Sequence, residues 1–366
     1  MDGDKYPDAL KNLIGISKKT RNILLKVIEE FQKKHGVSQS GYIETELIRR
    51  FLRQSSFSKR KIREVEGPIS VYQMSSDEYP QIFYLFGDNH IKKSDCGDIT
   101  KFHTWIKDAI VNSPVFIDVY LETPYQYKDY PTLKHEHLVN SYIQDFYKDF
   151  KKCFVHFKNL PGYCQTSRFH YTDTRRIAET MKQRWGSTSS YEYIYEAKTR
   201  YKISSNVKEV NDYIDFILNS QSFLRKRIKK QFNAIRDDRI RDTIKREFAA
   251  CLAKYKKGIR HLMVHEPDRF KALKVLWAIS DYTICQMDYY LIARCFRSYG
   301  KKKGYSRPGY NNIIYAGHRH IKRYIKILQK LDFNLDAKVS PVRGDRLQCL
   351  DLSEIKQPLF HQRYKN

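Results

Sequence analysis

Two short hydrophobic runs in this sequence each end in a glycine that is followed three positions later by a histidine. Residues 82–86 lead into Gly87 and His90, and residues 313–316 lead into Gly317 and His320. Imidazole groups ionise near neutral pH, so histidines presented at the ends of strands can transfer protons or bind a metal ion. The repeated pattern predicts that both histidines serve one site.

Further polar groups lie at the ends of other predicted strands. Glu122 closes an apolar run that starts at 115, and the polar segment 167–176 contains Asp173, Arg175 and Arg176. A carboxylate can act as a base or a ligand, and an arginine can stabilise an oxyanion. Each group taken alone is also compatible with a structural role, such as a surface ion pair. Open α/β sheets gather ligands where their strands end, so we expect the set to share one crevice.

The elements that must position these side chains follow an α/β pattern. Strands are predicted at 69–72, 82–86, 115–122, 167–176, 312–316 and 346–352, and helices at 98–112, 135–153 and 319–331. Hydrophobic residues at helical spacing across 206–300 predict a long all-helical insertion. The predicted fold is therefore α/β, a mixed sheet with flanking helices in a domain spanning 67–366. Residues 1–66 are predicted to form a helical N-terminal extension with a basic linker.

At these residues the sequence resembles a superfamily that joins the Tiki proteases, the TraB/PrgY proteins, the haem-iron-uptake protein ChaN and the erythromycin esterases. Those are α/β proteins in which paired Gly-x-x-His motifs and a glutamate line one cleft. Asp88 stands where many members have glutamate directly after the glycine, and His318 adds an imidazole inside the second motif. The Tyr- and Lys-rich composition and residues 287–294 also resemble proteins of large DNA viruses.

The resemblance implies a hydrolase in which an activated water attacks an ester or amide carbonyl. His90, with Glu122 or Asp88, would orient or deprotonate the water, either directly or by holding a divalent metal. His320 or Arg175 would stabilise the developing oxyanion, and Arg176 is the alternative to Arg175 as the anion-holding arginine.

A metal site of His90, Glu122, His320 and His318 would suit zinc or manganese. Motifs that would indicate other hydrolases or nucleotide-binding enzymes are missing from the sequence: HExxH, GxSxG, the Walker A sequence and GxGxxG.

The composition points to a second class of function. With 68 Lys and Arg against 41 Asp and Glu, the formal net charge is +27, which attracts polyanions. Basic runs lie at 59–61, 225–230 and 319–326; a solvated helix face explains any one of them alone. The rival hypothesis is a catalytically inactive basic scaffold, or a virion-associated protein, that binds nucleic acid or an acidic protein.

The cysteines and the hydropathy predict a cellular environment. The 7 cysteines are odd in number and include no CxxC pair, which indicates neither a zinc ribbon nor a disulfide framework. We therefore expect a reducing compartment. No apolar stretch approaches the roughly 20 residues that a membrane span needs, and the first residues lack the apolar core of a signal peptide. These features predict a soluble intracellular protein, in the virion or host cytoplasm if the origin is viral.

Overall fold

The computed structural model describes residues 61–90, 96–111, 113, 115–124, 141–154, 164, 167–173, 222–265, 268–299, 309–339 and 348–360. These residues form an α/β fold with two sheets and helices on both faces of the larger one. The predicted fold class is therefore confirmed. The predicted N-terminal helices lie outside the described residues.

The described strands, in chain order, are β1 (Glu64–Glu66), β2 (Ser70–Ser75), β3 (Ile82–Asp88), β4 (Thr100–Lys101), β5 (Ile117–Pro124), β6 (Ser167–Asp173), β7 (Asn311–Gly317), β8 (Asn334–Val339) and β9 (Cys349–Asp351). The larger sheet has the order β6-β5-β7-β3-β2-β8, and a small sheet has the order β4-β1-β9. In the larger sheet β6, β5, β7 and β3 are parallel, whereas β2 and β8 join antiparallel.

The described helices are α1 (Phe102–Val111), α2 (Tyr142–Phe150), α3 (Ser222–Asn233), α4 (Asp238–His265), α5 (Asp268–Phe296) and α6 (His318–Gln329). α3, α4 and α5 fall within the predicted all-helical insertion. Along the part of the chain that the structure describes, no helix combines the length and the hydropathy needed to cross a membrane.

The register of the central strands brings the two Gly-x-x-His motifs together. β3 and β7 are parallel neighbours, and Asp88 lies opposite Gly317. On the other side of β7, Leu121 of β5 lies opposite Tyr315. Because parallel strands end at the same edge of a sheet, Glu122 and both histidine motifs reach one crevice.

Alternating side chains of these strands form two hydrophobic cores. Phe83, Leu85 and Ile314 pack on the face covered by α3, α4, α5 and α6. Tyr84 and Phe86 point to the opposite face, which α1 and α2 cover. Burial on both faces explains why these strands are continuous apolar runs in the sequence.

Three strands were not predicted. β1 lies in the segment expected to be a linker, β4 is a short pair of residues, and β8 is an edge strand whose residues are mostly exposed. Such strands lack the apolar runs that mark a buried strand, so periodicity does not reveal them.

The cysteines differ from the prediction. Disulfides join Cys96 to Cys349, Cys153 to Cys164 and Cys251 to Cys285, while Cys295 is free and buried. The prediction of no disulfide framework is therefore wrong: Cys96 and Cys349 are 253 residues apart, and only the folded chain brings such partners together. The pairs favour an oxidising environment over the reducing compartment that we expected.

Candidate functional site

Asp88 fixes the position of His90 at the end of β3. His90 has a φ of 56°, which non-glycine residues rarely adopt. Its backbone N–H donates to Asp88 Oδ2 at 3.0 Å, and the same oxygen lies 3.2 Å from Nδ1 of the imidazole. The Tyr315 hydroxyl donates to Asp88 Oδ1 at 3.4 Å. The buried carboxylate therefore holds the backbone of His90 by a hydrogen bond and lies within ion-pair distance of its ring.

Glu122 is the point on which the two motifs converge. Its side chain, near the end of β5, is 3% exposed. Oε2 accepts a hydrogen bond from the Gly317 N–H at 2.6 Å and lies 3.6 Å from His90 Nε2. Oε1 lies 3.4 Å from His320 Nε2. One buried carboxylate thus faces an imidazole from each Gly-x-x-His motif.

His320 repeats the arrangement found at His90. It lies in the first turn of α6, and its Nδ1 is 2.6 Å from Asp288 Oδ1. The Asp288 side chain, on α5, is 1% exposed. A carboxylate at Nδ1 places the ring hydrogen there by inference from the hydrogen bond and directs Nε2 toward Glu122. Both imidazoles are therefore oriented by an aspartate.

Arg323 of α6 supports Asp288. Its Nη1 donates to Asp288 Oδ2 at 3.5 Å, and its Nη2 donates to Asp281 Oδ1 at 2.9 Å and to the Tyr255 hydroxyl at 3.4 Å. Burial disfavours the charge on Arg323, but the neighbouring carboxylates outweigh that effect and raise its pKa. The guanidinium thus joins α4, α5 and α6 behind His320.

Asp288, Asp281 and Arg323 were not predicted as site residues. Asp288 lies inside the helical insertion, which the sequence pattern did not connect to the Gly-x-x-His motifs. The signal was present, because Asp288 is a carboxylate flanked by the buried residues Met287 and Tyr289. A buried charge within an apolar run is informative in itself.

The glycines of both motifs leave space for neighbouring side chains to approach the backbone. A Cβ added at Gly317 would lie 2.7 Å from His90 Nε2 and 3.4 Å from Glu122 Oε2. A Cβ added at Gly87 would overlap Ser70 Oγ and lie 2.8 Å from His318 Nδ1. Among the described glycines only Gly67 and Gly97 have positive φ. The motif glycines therefore allow neighbouring side chains to approach the backbone closely.

His318 faces a different partner from His320. Its Nδ1 lies 2.7 Å from the Ser70 hydroxyl oxygen, and its ring stacks near Tyr72 with centroids 6.4 Å apart. Burial, followed by the positive charge of Lys322, lowers its pKa. His318 therefore lies beside the Glu122 cluster, anchored to β2.

The remaining predicted site residues are Asp173, Arg175 and Arg176. Asp173 ends β6 with its backbone opposite Pro124, and it is buried. Arg175 and Arg176 lie outside the described residues. The structure therefore brings together His90, Asp88, Glu122, Gly317 and His320, and it adds Asp288 to them.

The donor types of this cluster suit a divalent metal. Zinc and manganese accept imidazole and carboxylate ligands, and metal-binding histidines commonly hold a carboxylate at their other nitrogen. The two Nε2 atoms, however, face different oxygens of Glu122. Among the described residues, no group of three or more His, Cys, Asp or Glu is arranged to hold a metal ion. The present arrangement is that of two imidazole–carboxylate pairs.

The cluster differs in exposure from one side to the other. The His90 side chain is 34% exposed, whereas those of Glu122 and His320 are 3% and 8% exposed. The cluster contains three carboxylates, those of Asp88, Glu122 and Asp288, and the Arg323 guanidinium contacts the Asp288 carboxylate. The solvent-facing imidazole can therefore exchange protons with water beside a surplus of negative charge.

Comparison of the chain with protein-family models, with curated proteins and with solved structures found no match in any of the three. The resemblance drawn from the Gly-x-x-His motifs therefore stays a prediction.

Proposed function

We propose that this protein is a hydrolase in which His90 activates a water molecule for attack on an ester or amide carbonyl. The observation that carries the proposal is the convergence of two aspartate-held imidazoles on the buried carboxylate of Glu122. The geometry of this cluster supports acid–base chemistry more directly than any other group of side chains in the described part of the chain.

His90 is suited to act as the general base. Its Nδ1 lies 3.2 Å from Asp88 Oδ2, and its Nε2, which faces Glu122, is the nitrogen to which we assign the water's proton. A water molecule beside His90 and Glu122 would give its proton to Nε2 as its oxygen attacks the carbonyl carbon. The surrounding carboxylates stabilise the positive charge that the imidazole then acquires.

Glu122 and His320 would position the water and the base. Glu122 is fixed by the Gly317 N–H at 2.6 Å, so its carboxylate offers a rigid acceptor for the second water proton. His320 is buried against Glu122 and keeps that carboxylate oriented. The resemblance assigns oxyanion stabilisation to Arg175 or Arg176.

A divalent metal, zinc or manganese, is the cofactor that we propose for this donor set. In this alternative His90, His320 and Glu122 would hold the ion, and the ion would replace His90 as the group that activates the water. Such an ion would lower the pKa of a bound water and polarise the carbonyl.

The test is an assay on the purified chain with p-nitrophenyl acetate, p-nitrophenyl butyrate and fluorescent casein, run beside Glu122→Gln and His90→Ala. We expect either change to lower kcat/KM by about 100-fold or more, because each removes a group that acts on the water. His103→Ala is the control, since His103 lies on α1 across the sheet. Zinc and manganese content is measured before and after chelation in every variant.

Two results would overturn the hydrolase proposal. One is wild-type protein that turns over none of the three substrates with or without added zinc or manganese. The other is Glu122→Gln protein that retains the wild-type rate. Turnover that survives complete removal of metal would reject the cofactor and keep the hydrolase.

A second candidate function is the binding of nucleic acid, and one observation favours it. The exposed sides of α4 and α6 form a basic face: Arg246, Lys254, Lys257 and Arg260 on α4, and Arg319, Lys322 and Lys326 on α6. An ion pair between Lys330 and Glu247 and a hydrogen bond between Arg323 and Tyr255 join the two helices. We propose that this basic face contacts phosphates without reading sequence.

Binding of labelled duplex DNA, followed by fluorescence polarisation, tests this candidate. The double change Lys254→Glu and Lys257→Glu should weaken binding by about tenfold or more, and wild-type affinity should fall steeply between about 50 and about 200 mM salt. Lys151→Glu with Lys152→Glu is the matched control on the opposite face of the sheet. Equal loss in both double variants would reject the basic face as the binding surface.

A further inference from the structure

A second polar cluster lies at the opposite end of the sheet from Glu122. Asp118 lies in the first half of β5, on the same face as Glu122, and its backbone pairs with Arg168 of β6. Arg294 lies in the last turn of α5, and Arg297 and Tyr299 follow that helix. The hydrolase proposal uses none of these residues.

Two neighbouring side chains contact the carboxylate oxygens of Asp118. Arg168 donates from Nε to Oδ1 at 2.5 Å and from Nη2 to Oδ2 at 2.8 Å, and His170 Nε2 lies 2.7 Å from Oδ1. Burial alone would raise the pKa of Asp118, but the hydrogen bond from His170 and the charge of Arg168 lower it. The carboxylate is therefore ionised, and its negative charge is paired with the positive charge of Arg168.

His170 is neutral and carries its hydrogen on Nε2. Arg294 Nε donates to His170 Nδ1 at 2.9 Å, which requires a lone pair on that nitrogen. Burial, followed by the charge of Arg294, lowers the pKa of His170 to about 3. Arg294 thus meets an uncharged ring where a buried guanidinium would ordinarily meet a carboxylate.

The hydrogen-bond partners of Arg294 and Arg297 among the described residues are neutral groups. Arg294 Nη1 donates to the Tyr290 hydroxyl at 3.1 Å, and Arg297 Nη1 donates to Gln231 Oε1 at 2.7 Å. The Arg297 guanidinium also lies 4.9 Å from the centroid of the Tyr299 ring.

Arg297 carries an unused donor. Its Nε is buried and has no hydrogen-bond acceptor among the residues that the structure describes. Burial lowers the pKa of Arg297, and the positive charge of Arg294 acts in the same direction. Within the part of the chain that the structure describes, the guanidiniums of Arg168, Arg294 and Arg297 face the one carboxylate of Asp118, so about two positive charges have no described counter-ion.

We propose that Arg294, Arg297 and the Tyr290 hydroxyl form a binding site for a phosphate group. A phosphate carries close to two negative charges at neutral pH, which matches the surplus on the cluster. Its tetrahedral oxygens accept hydrogen bonds from the planar guanidinium fork, including the unused Nε of Arg297. The group is either free inorganic phosphate or the phosphate of a small monoester.

Calorimetric titration of the full-length protein with inorganic phosphate and with glycerol 3-phosphate tests the site at constant ionic strength. Arg297→Gln should raise the dissociation constant by about tenfold or more, and Arg297→Lys should raise it by less, because lysine keeps the charge and loses the fork. Arg236→Gln is the matched control: it removes the same charge from an exposed residue beside the Ile235–Arg297 bridge. Circular dichroism verifies folding.

Tighter binding of glycerol 3-phosphate than of phosphate would identify a monoester as the ligand, and the reverse would identify the free ion. The site is rejected if wild-type protein binds neither compound, or if Arg236→Gln weakens binding as much as Arg297→Gln does. Should Arg297→Gln fail to fold, Arg297→Lys and the melting temperature of the wild type with phosphate against chloride decide the question. A melting temperature that does not rise with phosphate would then overturn the proposal.

Discussion

Gly317 leaves the space in which His90 and Glu122 approach each other. A methyl group at this position would lie 2.7 Å from His90 Nε2, so Gly317→Ala must push the imidazole away from the carboxylate. We expect kcat/KM for the proposed hydrolysis to fall by about 100-fold, as misplacement of a base by about 1 Å does. The free energy of unfolding should fall by about 1–3 kcal/mol.

Gly258→Ala is the control for this change. Gly258 lies in α4, and nothing lies within 4 Å of an added Cβ. The control should keep full activity and raise the free energy of unfolding by about 0.5–1 kcal/mol, because alanine is the better helix former. Wild-type activity in Gly317→Ala would mean that His90 does not act through this contact.

The sequence indicated which residues lie in the cluster, but it did not indicate which contact each of them makes. His90, Glu122 and His320 were chosen because each follows a predicted strand, and parallel strand ends do meet. The role of Gly317 was not predicted, since the space that it leaves is filled by the side chain of Glu122, 195 positions away in the sequence. Asp88 was predicted to act with His90 on the water, and in the structure it accepts a hydrogen bond from the backbone N–H of His90.

At the scale of elements, α5 and α6 together position His320. Asp288 comes from α5, and Arg323 ties it to α6 from one turn beyond His320. Asp288→Asn keeps the shape but weakens the hold on the imidazole. We expect kcat to fall by about 10–100-fold while KM stays within about twofold, as is typical when the partner of an active-site histidine is altered.

The pH dependence of kcat distinguishes positioning from general damage. Asp288→Asn should move the pH profile, because it removes a charge beside an imidazole, whereas loss of folded protein would scale the whole profile down. Arg239→Gln is the control, since it breaks an exposed ion pair with Glu78 and Asp332. If the pH profile of Asp288→Asn keeps the wild-type shape, ionisation of His320 does not contribute to the pH dependence of kcat.

The elements that periodicity predicted are those with two buried faces or one clear apolar stripe. β3 and the middle of β7 are continuous apolar runs because both sides of the sheet are covered, whereas β5 has an apolar stripe on one face and carries Asp118 and Glu122 on the other. β8 escaped prediction because Asn334–Val339 is an edge strand held by β2 alone, and its side chains are largely exposed. Asp288 was not predicted as a site residue for a related reason. Helical spacing identifies one face of α5 but does not show which strand that face covers.

At the scale of the whole molecule, the Cys96–Cys349 disulfide joins the two ends of the described chain. It closes a loop across 253 residues, whereas Cys153 and Cys164 are 11 residues apart. Because long loops lose more entropy on closure, changing Cys96 and Cys349 together to serine should lower the free energy of unfolding by about 2–4 kcal/mol. Changing Cys153 and Cys164 should cost less. Urea unfolding of both double variants under oxidising conditions measures the difference, and equal losses would contradict the loop argument.

The stability of the whole fold should also depend on His170, which lies buried between Asp118 and Arg294. In the folded protein the pKa of His170 is lowered from 6.5 to about 3. Between these pH values His170 is therefore protonated in the unfolded chain and neutral in the folded chain. The stabilisation is therefore complete above pH 6.5 and is lost as the pH falls toward 3, by about 1.4 kcal/mol per pH unit. His170→Gln removes the titrating group, so its urea midpoint should be lower than that of the wild type at pH 7 but should change less between pH 7 and pH 5. Comparing the two slopes isolates His170 from the other histidines, and identical slopes would show that the pKa of His170 is the same in the folded and the unfolded protein.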